Sequence, residues 1–195
     1  SNVNCNAGTD GEATIGTSGG TSPYTYLWSP IGGAGTTASN LPADTYTVTT
    51  TDDNGCTDSD VIVITEPALP LTSVTVQTDN LCFGDAEGQA VVQPSGGTSP
   101  YSYVWTGLST GVDDTLSNLI IGTYNVTVTD TNGCTTTNSV TITEPSQLTV
   151  STLVSDVNCN GGSDGSVTAT GSNGTAGYSY AWDNTGSLSN GGISN

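Results

Sequence analysis

Short runs of alternating apolar and polar residues, separated by glycine-rich turns, make up most of the chain. Such alternation is typical of strands with one buried face. In the middle of the chain the runs predict five strands, at 71–76, 89–93, 101–105, 124–129 and 139–143. The weakly patterned stretch 106–118 predicts one or two edge strands. The turn at 130–133 contains an Asn-Gly pair, which favours a tight hairpin.

The strand pattern recurs along the chain with a fixed period. Residues of the same type stand 77 positions apart: Trp28, Trp105 and Trp182, and likewise Cys5, Cys82 and Cys159. A period of this length indicates tandem structural repeats. We therefore predict three repeats, at 1–67, 68–145 and 146–195. The first lacks its first strand, and the third ends before the counterpart of 124–129, so we expect a segment of a longer array.

The length of the repeat predicts its fold. Six or seven short strands in about 77 residues are typical of an immunoglobulin-like β-sandwich, whereas propeller blades are nearer 40–50 residues. The predicted fold class is therefore all-β, with tandem immunoglobulin-like repeats. Five aromatic residues are predicted in the cores. Three are tryptophans, one on the third strand of each repeat, and two are tyrosines at tyrosine corners: Trp28, Trp105, Trp182, Tyr46 and Tyr124.

Charge excludes several classes of function. The chain has no Lys, Arg or His and has 18 acidic residues, for a net charge of −18. Binding to nucleic acid depends on Lys and Arg, and anionic membranes are disfavoured for the same reason. Catalysis loses His and Lys, its usual proton carriers and amine nucleophiles. No apolar stretch reaches the roughly 20 residues of a membrane span. We predict that the chain is not an enzyme, binds no nucleic acid and does not insert into a membrane.

Several motifs recur in one order along the chain. CNAGTDG (5–11), GGTSPYTYLW (19–28), LPADTYTVTTTDDNGC (41–56) and VIVITEP (61–67) return as CFGDAEG, GGTSPYSYVW, LIIGTYNVTVTDTNGC and VTITEP. This pattern resembles the SprB-type repeat of Bacteroidota cell-surface and gliding-motility adhesins. The resemblance implies type IX secretion, a location at the cell surface or in an extracellular filament, and a stalk or gliding function without catalytic residues. The implied partners are neighbouring repeats of one long chain and bundled copies. Alternatively, the repeats themselves bind glycans or other surface ligands.

In an extracellular repeat the five cysteines predict disulfides, and two pairings stay open. Within repeats, the pairs are Cys5–Cys56 and Cys82–Cys134. However, the two loops concerned lie at opposite ends of an ordinary sandwich, roughly 20 Å apart, and a disulfide needs Cα atoms within about 7 Å. End-to-end stacking instead brings Cys5 of one repeat to Cys134 of the next.

Recurring carboxylates give two interpretations. Five of them mark hairpin turns and repeat junctions, and are candidate calcium ligands: Glu66, Asp130, Asp52, Asp53 and Glu144. Calcium, the candidate cofactor, takes six to eight oxygens, and Glu66 could meet Asp130 of the next repeat. The other interpretation is turn capping.

The aromatic residues Tyr24, Tyr26 and Trp28 share one face of a strand, which predicts either core packing or an exposed sugar-binding platform.

Overall fold

The described part of the chain contains thirteen β-strands. The computed structural model describes residues 1–107 and 110–182, and this part contains strands and no helix. The first set of strands is β1 (Gly11–Thr14), β2 (Thr25–Ser29), β3 (Thr37–Leu41), β4 (Asp44–Thr51) and β5 (Thr57–Ile64). The second set is β6 (Thr72–Thr78), β7 (Gly88–Ser95), β8 (Ser102–Gly107), β9 (Thr115–Leu119), β10 (Gly122–Thr129) and β11 (Thr135–Ile142). The last two strands are β12 (Thr149–Ser155) and β13 (Ser166–Ser172).

The first set forms two sheets around one core. Strand β1 pairs with β3, and β4 lies between β2 and β5 in a three-stranded antiparallel sheet. Alternate residues of both sheets point inward and are buried, because each strand has one apolar face. The core residues are Val3, Ala13, Trp28, Ala38, Leu41, Tyr46, Val48 and Ile64.

The second set repeats this connectivity. Strand β10 lies between β8 and β11, as β4 lies between β2 and β5. Strand β7 lies between β9 and an added first strand, β6. The predicted strands at 71–76, 89–93, 101–105, 124–129 and 139–143 all overlap observed ones, and the weakly patterned stretch overlaps β9. The all-β, immunoglobulin-like fold class is confirmed.

The aromatic residues of the core behave alike in the first two sets. Trp28 and Trp105 are 3% and 1% exposed. Their indole Nε1–H groups donate to the carbonyls of Gly35, at 2.9 Å, and Asp113, at 2.8 Å. Tyr46 and Tyr124 are also buried.

Tyr46 makes the tyrosine corner that the sequence predicts. Its hydroxyl donates to the Pro42 carbonyl at 2.9 Å and so fixes the turn between β3 and β4.

Trp182 differs, and its predicted core position is wrong for this structure. The residue is 50% exposed. Trp28 and Trp105 are each followed in the chain by a pair of long antiparallel strands, β4–β5 and β10–β11, whose first member pairs with the tryptophan strand. The remainder of the predicted third repeat, 183–195, lies outside the residues that the structure describes.

The chain divides into two compact units. The first comprises Ser1–Val76, Ala90–Leu116 and Thr123–Val140. The second comprises Gln77–Gln89, Ser117–Gly122 and the residues from Thr141 onward. The boundaries of the three repeats at 67/68 and 145/146 stay a prediction.

Candidate functional site

A disulfide joins the first set of strands to the second. The sulfur atoms of Cys5 and Cys134 are 2.02 Å apart and their Cα atoms 5.7 Å apart, across a sequence separation of 129 residues. Cys5 lies in the loop before β1, and Cys134 lies in the turn between β10 and β11. Both belong to the first compact unit.

The alternative pairs within repeats do not form. Cys56, Cys82 and Cys159 are free, exposed thiols. The separation of Cys5 from Cys56 has a plain cause. The Cys5 loop is held beside the end of β5, because Val3 N–H donates to the Thr65 carbonyl at 2.9 Å. Cys56 precedes the start of that strand, so the eight residues of β5, about 27 Å at 3.4 Å each, lie between them.

The turn that carries Cys134 is organised by one buried carboxylate. Asp130 is 5% exposed. Its Oδ1 accepts from the backbone N–H groups of Asn132 and Cys134, both at 2.9 Å, and its Oδ2 accepts from Thr98 N–H at 2.9 Å. A side chain at Gly97 has no room, since a Cβ there would lie 2.7 Å from Oδ2. Asp130 therefore fixes the direction in which the cysteine leaves the turn.

The loop that carries Cys5 is organised by a second carboxylate. Asp10 Oδ1 accepts from Asn4 N–H at 3.1 Å, and its Oδ2 accepts from Asn4 Nδ2 at 2.5 Å. Gly8 N–H donates to the Cys5 carbonyl at 2.9 Å, which closes a tight turn after the cysteine. Glu66, at the end of the first set, accepts from Ala7 N–H. Both sides of Cys5 are thus fixed by hydrogen bonds to backbone groups.

The two elements also touch beside the disulfide. Asn132 Nδ2 donates to the Asn4 carbonyl at 2.9 Å, and it donates to Thr98 Oγ1 at 3.1 Å. Cys5 and Cys134 are half-buried, in contrast to the three exposed free thiols. The junction is therefore a docked contact with a covalent bond at its centre.

The five calcium candidates lie near loops that carry cysteines, and four of them accept hydrogen bonds from backbone N–H groups. Glu144 accepts from Gly84 N–H at 2.9 Å, which repeats the Glu66–Ala7 contact. Asp52 binds its turn as Asp130 does, and Asp53 beside it is exposed. Among residues 1–107 and 110–182 no cluster of three or more Cys, Asp or Glu side chains could hold a metal ion. Among the described residues, no hydrogen bond or ligand cluster joins Glu66 to Asp130. Calcium binding therefore stays a prediction.

Hydrogen bonding changes the acidity of two of these loop carboxylates. Backbone N–H donors from Thr21, Cys56 and Asn54 lower the pKa of Asp52 below its ordinary value, because they favour the charged form. The pKa of Asp164 is lowered in the same way by the backbone and side-chain N–H groups of Asn158. These carboxylates therefore stay ionised while they hold their loops.

The aromatic face gives no flat exposed platform in the first set. Trp28 is buried, and Tyr24 and Tyr26 are half-buried. The Tyr24 hydroxyl donates to the Gly19 carbonyl at 2.5 Å, and the Tyr26 hydroxyl accepts from Thr17 Oγ1 at 3.2 Å. The hydroxyl groups are thus used to close the turn before β2.

Sequence reasoning missed the asparagines of the junction. Asn4 and Asn132 provide the polar contact beside the disulfide. A signal was present in the sequence, since Asn precedes Cys5 and Cys159 by one position and precedes Cys56 and Cys134 by two.

Comparisons with known proteins agree with the sequence pattern. The family model of the SprB repeat matches the chain three times, at residues 1–33, 74–110 and 151–187, which together make 107 of 195 residues. The resemblance to SprB-type repeats is confirmed. Among the solved structures that match is the "Structure of amphioxus IgVJ-C2 molecule", at 15% identity and a TM-score of 0.35, covering 70% of this chain and 97% of that one. No curated protein matches the chain. The described residues contain no helix long and apolar enough to cross a membrane.

Proposed function

Because the chain belongs to the SprB repeat family of adhesin-like surface repeat proteins, we propose that it is a stalk segment that carries tension through its disulfide. The observation that carries this proposal is the Cys5–Cys134 bond. The stalk belongs to a long cell-surface or filament protein used in attachment or gliding, with neighbouring repeats as its partners. It catalyses no reaction.

The bond changes how the chain responds to pulling. A polypeptide pulled from its ends unfolds and lengthens by about 3.5 Å per residue. The bond removes 129 residues from that path, because tension passes directly from Cys5 to Cys134. Of the 195 residues, the first and last segments alone can then be drawn out. Most of the chain therefore adds nothing to the extended length of the stalk, even when its sandwiches unfold.

An extracellular location is supported by the chemistry of the bond and by composition. Disulfides persist outside the reducing cytosol. The chain also lacks Lys and Arg, so trypsin-like proteases have no cleavage site in it. Both features suit a protein that works outside the cell.

Single-molecule pulling tests the proposal. With handles at the two chain ends, the oxidised protein should reach a final contour length of about 230 Å, and the reduced protein about 680 Å, at 3.5 Å per residue. The Cys134→Ser variant should behave as the reduced protein, and Cys82→Ser, which removes a free thiol, as the wild type. A final length near 680 Å for the oxidised wild type would exclude a load-bearing bond.

The same protein distinguishes a stalk from a glycan-binding module. A stalk is expected to show no retention on immobilised glycans. Specific retention that persists after the Cys134→Ser exchange would instead assign ligand binding to the repeats.

A further inference from the structure

The structure contains each half of the junction twice, once engaged and once free. The hairpin half is the turn between the last two strands of a set, 130–134 in the engaged copy and 52–56 in the free copy. The loop half is the segment from the asparagine before the cysteine to the acidic residue after it, 4–10 in the engaged copy and 158–164 in the free copy. The disulfide joins 130–134 to 4–10.

The free hairpin half has the geometry of the engaged one. Asp52 Oδ1 accepts from Asn54 N–H at 3.0 Å and from Cys56 N–H at 2.8 Å, and its Oδ2 accepts from Thr21 N–H at 3.0 Å. These are the contacts of Asp130, within 0.1 Å. Asn54 Nδ2 donates to Thr21 Oγ1 at 2.9 Å, as Asn132 does to Thr98. The hairpin half is therefore formed before it meets a partner.

The free loop half likewise has the hydrogen bonds of the engaged loop half. Asp164 Oδ1 accepts from Asn158 N–H at 3.1 Å, and its Oδ2 accepts from Asn158 Nδ2. Gly162 N–H donates to the Cys159 carbonyl at 2.9 Å, the distance found between Gly8 and Cys5. Both free thiols are exposed at the surface of these segments.

The loop that carries Cys82 is not such a copy. Leu81 and Glu87 occupy the positions of Asn4 and Asp10, so the clamp between side chain and backbone is lost. The turn after Cys82 is closed at the same position as in the copies, by Asp85 N–H on the Cys82 carbonyl, but at 3.4 Å rather than 2.9 Å. Cys82 thus provides an exposed thiol on a loop that lacks the Asn–Asp clamp.

We propose that the hairpin half at Cys56 is a docking site for the loop half of another SprB-type repeat, and that two copies of this chain join head to tail through Cys56 of one and Cys159 of the other. The inference rests on the proposed stalk function and names the partner of the two half-junctions that are free in this structure. Such a contact joins different surfaces of the two copies, so each added copy leaves a free half for the next one.

The covalent step requires an oxidant, and a small disulfide such as oxidised glutathione supplies it. The Cys56 thiolate attacks one sulfur of glutathione disulfide, forms a mixed disulfide and releases one glutathione thiolate. The Cys159 thiolate of the second chain then attacks the Cys56 sulfur and displaces the second glutathione. Two protein thiols are oxidised, one glutathione disulfide is reduced to two thiols, and two protons move from the protein thiols to glutathione.

To test this, the whole chain is incubated in a glutathione redox buffer and the mass of the oligomers is measured. Peptide mapping with a protease that cleaves at Glu or at aromatic residues then identifies the cysteines that are joined. We expect a ladder of oligomers whose intermolecular peptide joins Cys56 to Cys159. Cys159→Ser should lower the cross-linked fraction at least about tenfold. That factor corresponds to a docking free energy of about 1.4 kcal/mol. Cys82→Ser, the matched control, should leave it unchanged.

A second pair of variants leaves every thiol in place. Asn54→Ala removes the amide that corresponds to Asn132, whose Nδ2 donates to the opposite loop in the engaged copy. This variant should therefore slow cross-linking. Asp53→Asn on the same turn should not, because the Asp53 carboxylate accepts no hydrogen bond from the described residues. Equal use of Cys56, Cys82 and Cys159, or no oligomers, would overturn the inference. If the oxidised single chain still gives the short contour length, the proposed stalk function survives that result.

Discussion

Removal of the Cys5–Cys134 bond should cost the protein a large and calculable part of its stability. The perturbation is the double variant Cys5→Ser/Cys134→Ser, which leaves no unpaired thiol at the junction. Its control is Cys56→Ser/Cys159→Ser, which removes two exposed thiols that form no bond. Both variants exchange the same atoms, so they differ in the cross-link alone.

The magnitude follows from the length of the closed loop. A cross-link restricts the unfolded chain by an entropy that grows with the logarithm of the number of residues enclosed. For the 129 residues between the two cysteines, this gives about 5 kcal/mol at 25 °C. The double variant should therefore unfold at markedly lower denaturant concentration than the control, which should match the wild type.

Denaturant unfolding followed by tryptophan fluorescence measures this, since Trp28 and Trp105 become exposed only when their cores open. A chain with more than one compact unit need not unfold in one step, so the free energies of all transitions are added before comparison. Reduction of the wild type with dithiothreitol should reproduce the variant, and should not affect the variant itself. A difference between the two double variants below about 1 kcal/mol would refute the loop-entropy reasoning.

Three further predictions concern the first set of strands. Tyr46→Phe should cost about 1–2 kcal/mol in denaturant unfolding, because it leaves the half-buried Pro42 carbonyl of the tyrosine corner without its donor. Gly11→Ala should cost about 1–3 kcal/mol in the same measurement, because a Cβ there would lie 2.6 Å from a β3 carbonyl oxygen and 2.7 Å from a β5 side chain. Its control, Gly16→Ala, meets no described atom within 4 Å and should be neutral. Asp52 has a lowered pKa when folded, so its charge stabilises the protein above the unfolded pKa of about 3.9, and this contribution is lost as pH falls through the lower folded value. The stability gap between wild type and Asp52→Asn in denaturant unfolding should thus close in acid.

The strands could be predicted from the sequence because each buries alternate residues. Strand β10 is an example: Tyr124, Val126 and Val128 are buried, and the residues between them are not. The same periodicity placed the turn before Cys134, and the order of strands in a sandwich then made Cys5 a reachable partner. These inferences depend on local patterns and on distances along a strand, which the sequence contains.

Other features depend on contacts that no local pattern records. The carboxylates were ambiguous because capping and calcium binding use the same residue types, and only the structure shows Glu66 on a backbone N–H group. Trp182 stands at the repeat position of Trp28 and Trp105 and yet is 50% exposed. Asn80 is 4% exposed at the position that Val3 has in the first set, and its Nδ2 has no partner among the described residues. A polar residue in a core position is visible in the sequence only after the repeats are aligned.

The 129-residue separation of Cys5 and Cys134 also bears on damage to the backbone. A single cut at any peptide bond between the two cysteines leaves both fragments in one covalent molecule, because the disulfide bridges the break. In an array in which every loop half kept the clamp found at Cys5, successive bridges would overlap, because each bridge spans 129 residues and the repeat is 77 residues long. Every peptide bond of such an array would then lie under at least one bridge. Its continuity would no longer depend on an intact backbone, and an array nicked once by a protease would stay in one piece.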